Sequence, residues 1–160
     1  MSEVKVFLSY VGDTSVFVEE FSKHFFTLGG DFVRVDWMIE NVDAGEPVFA
    51  EIVDRIISSD IFIAFIDKDY PGRMAAKELV KALELRQAGQ KLAIVPVTLG
   101  HTGRAWWKET KQRAGLDDIA DQPFFKPGTN AWALPDAAGV MAIQRLRRSL
   151  AEKARARASA

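Results

Sequence analysis

A chain of 160 residues, nearly half of them hydrophobic and with a net charge of −1, is sized for one domain with a proper core. It has no cysteine, which excludes a disulfide framework and thiolate metal sites. No apolar run approaches the roughly 18 residues of a membrane span, and the N-terminus enters a strand without a signal peptide, so a cytoplasmic location is expected by default.

Val4 to Ser9 is an apolar strand ending in Phe7-Leu8-Ser9-Tyr10, with a turn at Gly12-Asp13. Asp13 or Thr14 is placed to cap the next segment, where Phe17, Val18, Phe21, Phe25 and Leu28 recur at helical spacing. Gly29-Gly30 ends that helix, and Phe32 to Trp37 reads as a second strand. A long acidic loop, Met38 to Glu46, leads to Pro47 at the start of a helix whose apolar face is Phe49, Ile52, Val53 and Ile56.

The third strand, Ile61 to Ile66, has no polar alternation, as expected of a strand buried on both faces at the centre of a parallel sheet. Pro71 and Gly72 punctuate the following turn, so a helix starts near Arg73. At about 100° per residue, Ala75, Leu79, Ala82 and Leu83 form its buried stripe, with Lys77, Lys81 and Glu84 opposite. Glu78 joins neither group. It interrupts the edge of the apolar arc, where a carboxylate is partly desolvated and becomes a functional candidate. The plainer alternative is an ion pair with Lys81.

Leu92 to Leu99 forms a fourth strand, and its Pro96, which cannot donate to a ladder, places it toward one edge or marks a bulge. Residues 100 to 135 hold Trp106, Trp107, a short polar helical stretch and Phe124-Phe125 as a fifth strand, followed by the turn-rich Lys126 to Asn130. A final helix starts near Asp136 and runs to about Ala154, with Val140, Ile143, Leu146 and Leu150 on one face. Residues 1–150 are read as the domain and 151–160 as a frayed helix end or a linker to a further domain. Residues 145–160 carry 6 basic and 1 acidic side chains, against 15 and 21 in the rest of the chain. Arginine alternating with alanine and lacking aromatics makes a poor recognition surface, so neither nucleic acid nor membrane is expected as a partner.

The alternation of strands and helices predicts an α/β fold, a doubly wound, mostly parallel five-stranded sheet with helices on both faces. In the flavodoxin-like order 2-1-3-4-5, ligands bind beyond the carboxyl ends of the first and third strands. The loops meeting there are Tyr10 to Asp13 and Asp67 to Gly72, with Glu78 close by and the loop Met38 to Glu46 beside it. His24 and His101 lack ligand-like spacing, so no metal site is expected. There is no glycine-rich phosphate loop, and Ser9 and Tyr10 stand where a receiver domain wants paired aspartates. No Ser-His-acid or Cys-His set suggests itself, which leaves acidic and aromatic chemistry at the crevice.

These residues resemble the Toll/interleukin-1 receptor (TIR) domain, particularly its bacterial branch. The likeness begins with Phe7-Leu8-Ser9-Tyr10. It continues through Val35-Asp36-Trp37, the loop closing on Asp43-Ala44-Gly45, and the helix from Glu51-Ile52 to Ile57-Ser58-Ser59. It is strongest from Asp60 to Leu83, and covers roughly residues 3 to 99. Many bacterial members cleave the nicotinamide glycosidic bond of NAD+, forming ADP-ribose or a cyclic form. The resemblance therefore implies an NAD+ hydrolase or cyclase switched on by self-association, in bacterial defence signalling.

The family's glutamate falls on Glu78, implied to hold the ribose hydroxyls and stabilise an oxocarbenium-like transition state. The same resemblance implies substrate contacts at Ser9, Tyr10, Trp37, Asp43, Gly45 and Met74. NAD+ is substrate and no cofactor is expected. Asp43 and Gly45 match the loop that, in the family, docks on a neighbouring subunit, and a sensor domain is commonly joined to such a chain. The alternative readings for Tyr10 and Trp37 are packing on the adjacent loops. Two positions depart from the pattern: Gly72 replaces a serine six residues before the glutamate, and Met74 replaces a frequent tryptophan four before. The competing function is a scaffold or adaptor without chemistry; a deoxyribosyltransferase-like enzyme ranks lower, because its other substrate-binding residues have no counterparts here.

Overall fold

The computed structural model describes residues 3–26, 31–35, 48–116 and 118–159. Strands β1 (Val4–Ser9), β2 (Phe32–Val35), β3 (Ile61–Asp67), β4 (Ala93–Leu99) and β5 (Gln122–Pro123) alternate with helices α1 (Ser15–Phe26), α2 (Val48–Ile57), α3 (Met74–Gln87), α4 (His101–Arg113) and α5 (Ala137–Ser159). The sheet order is β2-β1-β3-β4-β5 and every neighbouring pair is parallel, the doubly wound arrangement expected. Expectations that fall on Leu28 to Gly30, on Asp36, Trp37 and the loop Met38 to Glu46, or on Pro47, lie outside the described residues.

β3 organises the two cores. All seven of its residues are buried, as a strand covered on both faces must be. Phe62, Ala64 and Ile66 point to the layer that holds α2, α3 and α4, where Ile52, Ile56, Leu79, Leu83 and Trp107 pack. Ile61, Ile63 and Phe65 point to the layer of α1 and α5. There Phe17, Phe21 and Phe25 of α1 are fully buried, and each gains roughly 1.5–3 kcal/mol from leaving water. Asp60 sets the register at the entrance to β3: its carboxylate accepts the Lys5 N–H at 2.9 Å and its carbonyl the Ala93 N–H at 3.1 Å, so one residue ties β1, β3 and β4 together.

Four details correct the sequence reading. β5 is Gln122–Pro123 and not Phe124-Phe125; the Phe124 N–H still bonds the Thr98 carbonyl at 2.9 Å, but pairing stops there, and its ring lies edge-on to Phe17 at 5.3 Å. β4 is not an edge strand; it lies between β3 and β5. Pro96 is nonetheless accommodated. Ala93 N–H bonds toward β3 while the Thr98 carbonyl bonds away from it to Phe124. Pro96 shares the parity of Thr98, so its missing N–H faces the outer side, below the two-residue β5, and costs no bond to β3. Neither Asp13 nor Thr14 caps α1 through its side chain; both sit in a 3-10 turn, Gly12–Thr14, and the Thr14 hydroxyl donates back to the Val11 carbonyl at 2.8 Å. Finally, α5 continues to Ser159, and Arg157 near its end donates to the Lys91 carbonyl at 3.1 Å.

The close seating of α4 on the end of β3 depends on Gly103. A methyl group there would meet the carbonyl oxygens of Ile66 and of Asp67, the latter at 3.0 Å, and both are backbone atoms that cannot swing away. Gly103→Ala is expected to destabilise the fold by about 2 kcal/mol through overpacking, read as a lowered urea midpoint with unchanged slope. An unaltered midpoint would show that α4 is not held by this approach.

Candidate functional site

In the order β2-β1-β3-β4-β5 all strands run parallel, but β2 is added on one side of β1 and β3 on the other, so the order of winding reverses between β1 and β3 and their carboxyl ends frame the crevice. Ser9 is the last residue of β1, and like Phe7 two residues earlier it faces the layer that contains α3. β3 ends at Asp67, whose buried carboxylate accepts the N–H groups of Asp69 and Tyr70 at 3.0 and 2.9 Å and so shapes the turn. Tyr70–Gly72 then makes one 3-10 turn, with Pro71 supplying the fixed φ, and α3 begins at Met74. One turn into α3, Glu78 points back toward β1.

These elements converge on a buried cluster of three side chains. The Ser9 hydroxyl donates to Glu78 Oε1 at 2.7 Å and lies 2.8 Å from the Tyr70 hydroxyl. Both hydroxyls also reach the Ala75 carbonyl, at 3.2 Å from Ser9 and 2.9 Å from Tyr70. Ser9 is 1 % exposed, Tyr70 0 % and Glu78 7 %, so a carboxyl group sits among hydroxyls almost out of water. Burial pushes Glu78 up to about 7, with the hydrogen bond from Ser9 opposing it. Burial likewise pushes the Tyr70 phenol well up, and the Glu78 charge adds to this while the Ser9 bond opposes it. Asp67 is raised by burial too, against the pull of the Asp69 backbone bond.

The ion pair considered for Glu78 is not formed; Lys81 instead lies 3.7 Å from Glu84, on the outer side of α3. Among the described residues Ser9 alone hydrogen-bonds the Glu78 carboxyl, at Oε1, which leaves Oε2 open to a further donor. A carboxyl group poised near neutrality can accept hydrogen bonds from vicinal hydroxyls, oppose a developing positive charge, or take a proton.

The other candidates are placed differently. Tyr10 is half-buried and packs edge-on to Phe65 at 6.4 Å, in the α1/α5 layer and so across the sheet from Glu78. Met74 is 46 % exposed, one turn before Glu78. It lines a groove of about 820 Å³ between α3 and α4, together with Lys77, Val80, Trp106 and Thr110, and neither Ser9 nor Glu78 borders that groove. Trp37, Asp43 and Gly45 lie outside the described residues. The sequence places the loop Asp67 to Gly72 at the crevice but gives neither Tyr70 nor Asp67 a role of its own. Their signal was there: an aromatic residue inside the otherwise polar turn Asp67-Lys68-Asp69-Tyr70-Pro71-Gly72 needs a buried berth and a partner for its hydroxyl. Among the described residues no cluster of His, Asp and Glu could hold a metal ion, and no helix is long and apolar enough to cross a membrane.

Comparison with known proteins agrees with this architecture. The TIR domain family profile matches residues 6–125. The TIR domains of the activated Roq1 resistosome that recognises the effector XopQ are 20 % identical, with a TM-score of 0.62 over 92 % of this chain and 99 % of that one. The RPS4 and RRS1 TIR domain heterodimer gives 20 % identity and a TM-score of 0.59 over 94 % and 97 %. A flavodoxin-like domain from Synechococcus sp. is similar at 16 % identity and a TM-score of 0.50 over 91 % and 93 %. No curated protein matches the chain. With the family profile spanning most of the sequence and the sheet order in agreement, this chain belongs to the TIR domain family.

Proposed function

We propose that this TIR domain cleaves the bond between nicotinamide and ribose in NAD+, as a hydrolase or cyclase, with Glu78 as its catalytic carboxylate. The observation that carries the reading is a carboxyl group held almost out of water at the carboxyl ends of β1 and β3, with one oxygen fixed by Ser9 and the other open. Loss of neutral nicotinamide leaves positive charge on the sugar. A desolvated carboxylate opposes that charge far more strongly than one in water, and its oxygens accept hydrogen bonds from the ribose hydroxyls. No metal is needed for such a step. The Roq1 and RPS4/RRS1 structures are assemblies of TIR domains. By analogy, this chain works as a self-associated form in which a neighbour's Asp43 to Gly45 segment completes the site, in defence signalling within the cytoplasm.

The second reading, a scaffold signalling by TIR–TIR contacts, is favoured by Met74, which is exposed and offers no flat ring for stacking, and by Tyr10, which packs across the sheet. Concentrated or assembled protein incubated with NAD+ separates the two. Nicotinamide release is expected, falling at least about 100-fold in Glu78→Gln, the size of effect typical when a group aimed at transition-state charge is lost. Release that is absent under all assembling conditions supports the scaffold. Equal release by both proteins removes Glu78 from the chemistry.

A carboxyl group buried in this way costs stability once it is ionised. Glu78 binds its proton more tightly in the folded than in the unfolded chain. Its contribution is therefore most favourable below the usual glutamate range, is lost progressively as pH rises to about 7, and stays constant above. The full loss is on the order of 3 kcal/mol. Glu78→Gln, neutral throughout, is expected to exceed the wild type in unfolding free energy by about 1 kcal/mol or more at pH 8, with the gap closing below pH 5. Chemical denaturation at the two pH values checks this, and a gap of the opposite sign at pH 8 would contradict it.

A further inference from the structure

Each hydroxyl of the buried cluster has one proton to give, and the surrounding acceptors constrain where it goes. With Glu78 ionised, the Ser9 proton points to Oε1 at 2.7 Å, and the Ser9 oxygen is then free to accept from Tyr70 at 2.8 Å. With Glu78 neutral, the carboxyl proton points to Ser9, the Ser9 proton to the Tyr70 oxygen, and the Tyr70 proton to the Ala75 carbonyl at 2.9 Å. Every proton has an acceptor in both states, and the change needs only two hydroxyl rotations, with no movement of the ring or of the backbone. The proton Glu78 gains or loses crosses from the crevice at its own carboxyl, while Ser9 and Tyr70 keep theirs.

We propose that Tyr70 is a positioning residue, which holds the Ser9 hydroxyl on Glu78 by donating to it and lets the chain Tyr70–Ser9–Glu78 reverse direction when Glu78 exchanges a proton. The inference rests on the reading of Glu78 as the working carboxylate and adds the group that regulates its ionisation. Without the phenol, the Ala75 carbonyl at 3.2 Å competes for the Ser9 proton, and among the described residues no other group donates to the Ser9 oxygen. A donor that itself accepts a hydrogen bond is the stronger donor, so the phenol favours the ionised carboxylate.

Among the described residues the surrounding elements bring no rival charge to the cluster, and on α4 Arg104 lies against Asp121 at 3.1 Å. β1 brings Ser9 and no ionised group at this end, and α3 turns Lys77 and Lys81 outward. α2, packed on α3, turns in Ile52 and Ile56 and sets Arg55 against Glu51 at 3.5 Å. The turn brings Asp67, which is engaged with the Asp69 and Tyr70 N–H groups. Tyr70 itself is fixed from the far side by Trp106, ring edge to ring at 5.7 Å, so its hydroxyl has little freedom except rotation about its own bond.

The test is a ¹³C NMR titration of the Glu78 side-chain carboxyl in the full chain, which needs no substrate. Tyr70→Phe is expected to move the midpoint up from about 7 by roughly half a pH unit, the weight of one hydrogen bond. Ser9→Ala moves it further, and in the Ser9→Ala background Tyr70→Phe adds nothing, because the phenol acts through Ser9. Fluorotyrosine at position 70, a stronger donor of the same shape, moves the midpoint down and serves equally should Tyr70→Phe not fold. An unmoved midpoint in the folded Phe or fluorotyrosine protein overturns the proposal, as does an undiminished Tyr70→Phe shift in the Ser9→Ala background. The acid limb of nicotinamide release is expected to shift with the NMR midpoint. A midpoint that moves in a protein that never releases nicotinamide upholds the role of Tyr70 and defeats only the enzymatic reading.

Discussion

The hydrogen bond between Ser9 and Glu78 joins the end of the first strand to the helix that follows the third, and the site depends on it. At 2.7 Å and almost out of water, it is what keeps a carboxyl group facing the crevice instead of swinging to solvent with Lys77 and Lys81. A bond of this kind, short and with a carboxylate as acceptor, is stronger than a neutral one, yet it only partly offsets the loss of hydration. The remainder appears as a carboxyl poised near neutrality. Charge balance at this place is therefore a property of the fold and of no single residue: β1 supplies the donor, α3 the acid, and the turn after β3 the phenol.

Three features hold that geometry. β3, buried on both faces, fixes the spacing of the two helical layers, and Asp60 locks its register to β1, so the ends of the two strands arrive together. Asp67 folds the turn over the sheet by binding two consecutive N–H groups, which delivers Tyr70 to the cluster. Gly103 lets α4 close on the carbonyls of Ile66 and Asp67 and brings Trp106 against the Tyr70 ring. The chain thus spends stability on one desolvated acid and recovers it in the aromatic packing of α1 and in the apolar contacts of β3.

Most of the architecture was legible because hydrophobic periodicity and turn chemistry agree. The unbroken run Ile61 to Ile66 could only be a central parallel strand, and the stripe Ala75, Leu79, Ala82 and Leu83 left Glu78 visibly out of place. Short-range pattern failed where tertiary contacts decide. Phe124 looked like the start of a strand and instead follows one, its ring packed against Phe17, Pro96 marked an edge that is covered by two residues, and Asp13 and Thr14 looked like caps but form a 3-10 turn. In the site, Ser9 could be named because it ends the first strand, and Glu78 because it breaks the apolar stripe of its helix. Tyr70 could not be given a role, since its position in a polar turn says nothing of the 61 residues in sequence that its bond to Ser9 spans. Tyr10 shows the opposite case: its place next to Ser9 suggested a shared site, but the alternation of side chains about a strand sends the two to opposite faces of the sheet.

Whether Glu78 works on the nicotinamide ribose can be seen in the structure of the assembled protein with an NAD+ analogue that cannot lose its nicotinamide. A ribose hydroxyl is expected within about 3 Å of Glu78 Oε2, with Oε1 still held by Ser9. An analogue seated instead in the groove of Met74 and Trp106, with no atom in hydrogen-bond reach of Glu78, would contradict that role.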